Sequence, residues 1–302
     1  MPGSFKTDFL WEFTWDAVDM KLLPLELELF ARSPFSLERP FVFAIFRTLS
    51  FILMLEIVLH SLAVTIKRGN GAWWLIYITH ISAFIEVIYL GFAASTTWIY
   101  GSLPFVIDAA DSVGFSGINF RTSRTPHDRA KIRPPCLMLG TWILQNLAFS
   151  SSLAVFLLYW LLVYDCRSVS WTNAGLHGIN FIILSIDIFV SGSQYRLSHF
   201  YQPFILGILY MIFTFIHVAA RLDNGNVDGI YIYDILDYDQ DSSAYAIVII
   251  LTFIGTPILY CLTWLIYWLG RTTAQHVIGK ASLGGGASSG GEAALQHTMA
   301  LV

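Results

Sequence analysis

Six stretches of this chain are each long and apolar enough to cross a hydrocarbon layer, and no water-soluble fold can hide them all. Crossing about 30 Å takes roughly 20 helical residues. Runs of that kind lie at approximately Phe41 to Ile66, Ala72 to Ser95, Leu137 to Tyr164, Thr172 to Val190, Tyr201 to Ala220 and Ala244 to Leu269. Composition agrees: only 13% of the 302 residues are charged, against about 25% in a soluble domain, and the mean hydropathy is +0.62. Backbone groups in lipid must pair internally, and no alternating strands of barrel type recur. The fold class expected is therefore all-α, a polytopic membrane bundle of six transmembrane helices spanning 41–270.

The segment 1–40 precedes the first apolar run and is acidic, with Asp8, Glu12, Asp16, Asp19, Glu26 and Glu28. It lacks a cleavable signal-peptide pattern and reads as an interfacial or cytosolic lead-in, helical around Phe9 to Phe30 and broken at Pro24. Between Thr96 and Asp108 the apolar character continues past Gly101 and Pro104, either extending the second helix or lying along the interface. The polar loop Asp111 to Pro135 carries Arg121, Arg124, Arg129, Lys131 and Arg133. Lys and Arg number about 12 on the side of this loop and both termini and about 4 on the other, which places the N and C termini in the cytosol. The Gly/Ser-rich run from Gly284 to Gly291 cannot build a core, and a disordered tail is expected over 271–302.

A net charge of -4 supplies no basic surface and sets nucleic-acid binding aside. Cys136, Cys166 and Cys261 are too scattered for a disulfide framework or a CxxC metal knuckle. The natural partner is the membrane itself, with a lipid substrate drawn from the bilayer.

Chemistry must come from polar residues inside the spans, because such groups in lipid face the bundle interior or a cavity. Thr79 lies roughly 10 Å below the surface and His177 roughly 8 Å, both in helices that enter from the same side. A hydroxyl and an imidazole within reach form a minimal nucleophile and general base. Each also has a plainer reading: Thr79 bonded to its own helix's carbonyl one turn back, and His177 a structural histidine sharing its face with Asn173 and Asn180. Glu56 and His60 stand at i, i+4, and with His177 and His217 they compose a loose zinc alternative without any compact signature. Deeper, Glu86 and Asp187 lie at similar depth. They either meet as paired carboxylates or bond separately to hydroxyls and amides. No cofactor is expected for the threonine–histidine reading.

Tyr77-Ile78-Thr79, Asn173-Ala174-Gly175-Leu176-His177 and the acid ten residues on at Asp187 resemble the androgen-induced-gene family of membrane proteins, and overall the larger rolling stone-like relatives. The similarity covers roughly Phe41 to Gly270 at scattered positions, His199 and the Tyr233 stretch among them. Androgen-induced-gene members are threonine hydrolases of fatty acid esters of hydroxy fatty acids. The resemblance implies Thr79 as nucleophile and His177 as base; Asn173, Asn180, Asp187 and Glu86 are candidate supporting residues by their position in the spans. Ala174 stands where the family pattern has a second His, and Tyr233-Asp234 where it has Tyr-Pro. The rolling stone branch is associated with myoblast fusion, which implies a non-enzymatic alternative in cell fusion or membrane organisation.

Cysteine-accessibility labelling of the loop Arg121 to Arg133 should report the cytosolic side. Labelling from outside the cell or from the lumen would reverse the orientation while leaving the pairing of Thr79 with His177 untouched, since both helices would flip together.

Overall fold

The computed structural model describes residues 19–22, 24–36, 39–101, 133–164, 169–225, 230–239 and 242–284. Among them there is no β-strand, and six helices are long and apolar enough to cross a membrane. These are α1 (Pro40–Lys67), α2 (Ile78–Gly101), α3 (Cys136–Leu162), α4 (Trp171–Val190), α5 (Leu197–Ala219) and α6 (Ser243–Val277). Their outward faces carry large apolar residues exposed all along the bundle, such as Leu49, Phe84, Leu161, Ile205, Leu209 and Phe253. Such surface is stable only against lipid. The chain is an integral membrane protein.

The helices start and stop close to the expected positions, with two exceptions. Residues Gly71–Ile76 form a separate 3-10 turn, Tyr77 is extended (φ -86°, ψ 129°), and α2 begins only at Ile78. At its far end α2 continues to Gly101, so the apolar stretch after Ser95 lengthens the helix. The sixth helix runs on to Gly284, which corrects the expectation of disorder from Arg271. Residues 1–18, loop positions 111–132, Cys166 and the glycine-rich positions 285–291 lie outside the described residues.

Alternation of the six spans puts the α1–α2, α3–α4 and α5–α6 connections at one end of the bundle. The other end holds the α2–α3 and α4–α5 connections. Near that second end one buried side chain joins three helices. Arg47, seven residues into α1, is completely buried and spends all five guanidinium N–H groups on protein acceptors. Nε donates to Asp187 Oδ1 at 2.8 Å and Nη2 to Asp187 Oδ2 at 3.2 Å and Ser191 Oγ at 3.0 Å. Nη1 donates to Thr97 Oγ1 at 2.9 Å and the Ala93 carbonyl at 3.5 Å. The Tyr89 hydroxyl donates to Asp187 from α2, and the Phe43 ring covers the guanidinium at 4.2 Å.

Asp187 is thus committed to Arg47, and Glu86 belongs to a different network. Glu86 accepts from Ser82 Oγ at 2.9 Å and from Asn180 Nδ2 at 3.3 Å, while Ser151 Oγ of α3 lies 2.9 Å from Ser82 Oγ. The two carboxylates do not pair. Of the two readings offered by their depth, Glu86 follows the one with hydroxyl and amide partners, whereas Asp187 has a cation the sequence reading left out.

The short connection from Ser191 to Arg196 is buried, and several of its polar groups are bonded within the protein. Ser193 donates to Gln145 at 2.7 Å, Tyr267 to Gln194 at 3.1 Å, and Tyr260 to the Arg196 carbonyl at 3.0 Å. Arg196 donates in turn to the carbonyls of Asp19 (2.6 Å) and Lys21 (3.1 Å). The described part of the N-terminal segment is therefore folded onto this end. A short helix, Pro24–Phe30, starts at the proline expected to break one, because proline is well suited to a first helical position. Leu22, Leu27 and Phe30 are buried beside Met138 and Trp142 of α3.

Removing one partner of a buried ion pair strands the other. Arg47→Leu should destabilise the folded protein by about 3–5 kcal/mol, and the double variant Arg47→Leu/Asp187→Leu should recover most of that loss. Unfolding in mixed micelles with increasing sodium dodecyl sulfate measures both. Equal stability of the single variant and its parent would show that the pair contributes nothing.

Candidate functional site

At the opposite end the helices part around a cavity of about 670 Å³. Its floor and sides are apolar, with Val155, Leu158, Leu206, Met211, Val248 and Leu259, and its polar groups include Thr79, His177, Tyr210, Tyr233 and Asn173. Three helices change winding where they meet it. Each carries a π-helical turn: Tyr159–Val163 at the end of α3, Gly175–Ile179 in α4 and Leu251–Gly255 in α6. Such turns bulge the backbone outward and recur at functional sites.

Thr79 is the second residue of α2, not seven residues into a helix as the apolar run suggests. The break at Tyr77 is held by Tyr210 of α5, whose hydroxyl donates to the Ile76 carbonyl at 3.0 Å and accepts from the Ile78 N–H at 3.2 Å. With no full helical turn before it, Thr79 has no carbonyl one turn back to bond. Among the described residues its hydroxyl has no well-directed partner, and the Tyr233 hydroxyl lies beside it.

His177 sits in the π-turn of α4 and lines the same cavity, so the structure brings the two residues to one space from different helices. The Trp160 indole N–H donates to the His177 carbonyl at 2.7 Å, taking a carbonyl that a regular ladder would use. Gly175 permits the close approach behind it, since a Cβ there would meet Ile57 of α1 at 2.7 Å. The imidazole is stacked on Tyr159, with ring centroids 3.7 Å apart and planes at 7°. Its Nδ1 is buried without a hydrogen-bond partner. The ring is oriented by stacking and not by a carboxylate.

The remaining expected residues divide clearly. Asn180 is taken up by Glu86, and Asn173 borders the cavity. Asp187 and Glu86 support the helix packing described above and do not line the cavity. His60 borders it, but Glu56 is exposed on the outer face of α1, and His217 donates from Nδ1 to the Ile230 carbonyl at 3.0 Å away from it. Among the described residues no three His, Cys, Asp or Glu come together as a metal site, so the zinc set does not assemble.

Three neighbours were not singled out in advance as site residues. His80 is locked: Nδ1 donates to the Trp74 carbonyl (2.6 Å), Ser61 Oγ lies 3.4 Å from Nε2, and Ser61 accepts from the Trp74 indole (3.1 Å). Both its nitrogens are occupied, so it is not available as a base at the cavity. Tyr159 and Tyr233 are the other two. Neither has a local signal, being aromatics in aromatic-rich stretches, although the glycines at 175 and 178 flanking His177 hint at irregular winding.

No protein-family model matches the chain, and no solved structure matches it. Over 131 residues, 41% of this chain and 45% of the other, it is 26% identical to the protein rolling stone of Drosophila melanogaster. The chain is distantly similar to rolling stone. It spans about half the length of that relative in the matched region.

In a variant whose natural cysteines are replaced, a cysteine at Thr79 or His177 should react readily with N-ethylmaleimide. One at the completely buried Ala83 or Leu184 should not. Equal protection at all four positions would mean that the cavity is closed to small molecules.

Proposed function

We propose that this rolling stone-like membrane protein is a lipid-ester hydrolase whose nucleophile is Thr79 and whose base is His177. The observation that carries the reading is their placement on one cavity of about 670 Å³, with the Thr79 hydroxyl beside that of Tyr233 and a nitrogen of His177 unbonded. Threonine is a weak nucleophile until a base removes its proton. His177 accepts that proton as Thr79 Oγ1 attacks the ester carbonyl, then returns it to the departing alcohol. Water activated by the same imidazole clears the acyl-threonine. Apolar walls suit acyl chains, and an amphipathic ester reaches the site laterally from the bilayer. Within this class the resemblance points to fatty acid esters of hydroxy fatty acids. With both termini cytosolic, as the Lys/Arg asymmetry favours, the cavity opens to the other leaflet.

The distant similarity to rolling stone supports a second reading, a membrane-organising protein without chemistry. A fluorophosphonate probe on membranes from expressing cells separates the two. Under the hydrolase reading the parent is labelled, Thr79→Ala is not, Thr79→Ser retains labelling, and His177→Ala loses at least about 100-fold in turnover. A zinc chelator should leave turnover unchanged. Labelling that persists in Thr79→Ala removes Thr79 as the nucleophile. A normal biological phenotype in Thr79→Ala, with no hydrolysis by the parent, favours the organising role.

A further inference from the structure

Ester hydrolysis places negative charge on the carbonyl oxygen as the nucleophile adds, and a hydrolase needs donors aimed at that oxygen. Around Thr79 two independent features offer them. The first is the start of α2. Thr79 lies in its opening turn, where backbone N–H groups have no partner within the helix and the helix dipole is positive. Tyr210 takes the N–H of Ile78, and that of Thr79 faces the Tyr233 hydroxyl oxygen without a bond to backbone.

The second feature is Tyr233. It stands before α6, in the stretch Tyr233–Leu236 that reaches back over the cavity, and its ring meets Tyr77 edge-on at 5.6 Å. Its hydroxyl is buried and has no well-directed hydrogen-bond partner, although the hydroxyls of Thr79 and Tyr210 and the N–H groups of Ile78 and Thr79 all lie against it. A buried phenol whose O–H finds no well-directed acceptor costs free energy, and such a group calls for an explanation. An occupant that accepts its hydrogen bond supplies one.

We propose that the Tyr233 hydroxyl and the Thr79 backbone N–H form the oxyanion site of the hydrolase, with Tyr233 a catalytic residue. This inference rests on the hydrolase reading above. When Thr79 Oγ1 bonds to the carbonyl carbon, the carbonyl π electrons move to oxygen. The resulting oxyanion accepts one hydrogen bond from Tyr233 and one from the Thr79 N–H. As the C–O bond to the alcohol breaks, the carbonyl reforms and the alcohol leaves with the proton held by His177. Tyr233 keeps its own proton throughout, because burial pushes its phenol up to about 12. A nucleophile's own backbone N–H serves the same purpose in chymotrypsin-like proteases, so the geometry has chemical precedent.

The test uses full-length protein in nanodiscs, a short-chain p-nitrophenyl ester, the fluorophosphonate probe and a trifluoromethyl ketone that mimics the tetrahedral adduct. Tyr233→Phe keeps the ring and its packing on Tyr77. It should lower kcat about 100-fold, leave KM within about threefold and weaken the ketone about 100-fold, while the probe still reaches full labelling of Thr79 more slowly. Unchanged kcat and ketone affinity in Tyr233→Phe, with labelling still lost in Thr79→Ala, would overturn the oxyanion role and leave the hydrolase reading standing. A rise in KM with kcat unchanged would also overturn it, by making Tyr233 a binding group. No labelling and no turnover in the parent would overturn both. If Tyr233→Phe misfolds, Tyr233→3-fluorotyrosine, which keeps the hydroxyl, must restore parental ketone affinity for the proposal to survive.

Discussion

The buried guanidinium of Arg47 constrains the rest of this bundle. Between helices in lipid there is little hydrophobic drive, since the tails are as apolar as the side chains, so polar contacts and close packing set the register. Arg47 joins α1 to α2 and α4 through five donors, and any sliding of one helix would strand a charge in hydrocarbon. Glu86, Ser82, Ser151 and Asn180 tie α2, α3 and α4 a few turns away. Gly270, where a Cβ would collide with the Phe189 backbone, brings α6 against the end of α4 on the same side as Arg47.

The cavity lies beyond the Arg47 ties, with Ser151 of the second network at its edge. Where polar bridges hold the helices, the interior is filled. Beyond them, α3, α4 and α6 each carry a π-turn beside the cavity, while the π-turn of α2, Thr97–Gly101, is held by Arg47. Rigidity at one end and space at the other are two aspects of one arrangement. A site built on the transition gains fixed helix axes together with local backbone irregularity, which suits reactive side chains that must be held without being bonded away.

Much of this was legible in the chain. Runs of twenty or more apolar residues have few alternatives to spanning helices, so the fold class followed from length and composition. Depth arithmetic grouped Thr79 with His177, although it assumed one continuous second helix. The extended residue at Tyr77 is imposed by Tyr210, which is 133 positions away, and no window around Thr79 contains it. Arg47 was visible as a lone cation in the first apolar run and Asp187 as an acid in the fourth. Opposite charges in two spans are a stronger pairing signal than the two acids Glu86 and Asp187, which were considered together instead. Tyr159 and Tyr233 act through position alone, and position comes from tertiary structure.

The long separation of Arg47 from its counter-ion has a consequence for biogenesis. Asp187 is 140 residues downstream, so a ribosome adding about 5–20 residues per second makes the first span roughly 7–30 s before its partner exists. During that interval a cation sits in a nascent span with no acid to meet it. Arg47 lies only seven residues from the start of α1, close enough for its long side chain to reach toward the headgroups while it waits. Final docking of α1 is thus a late event, gated by arrival of the fourth span, and a chain truncated before Asp187 would present an uncompensated basic group to membrane quality control.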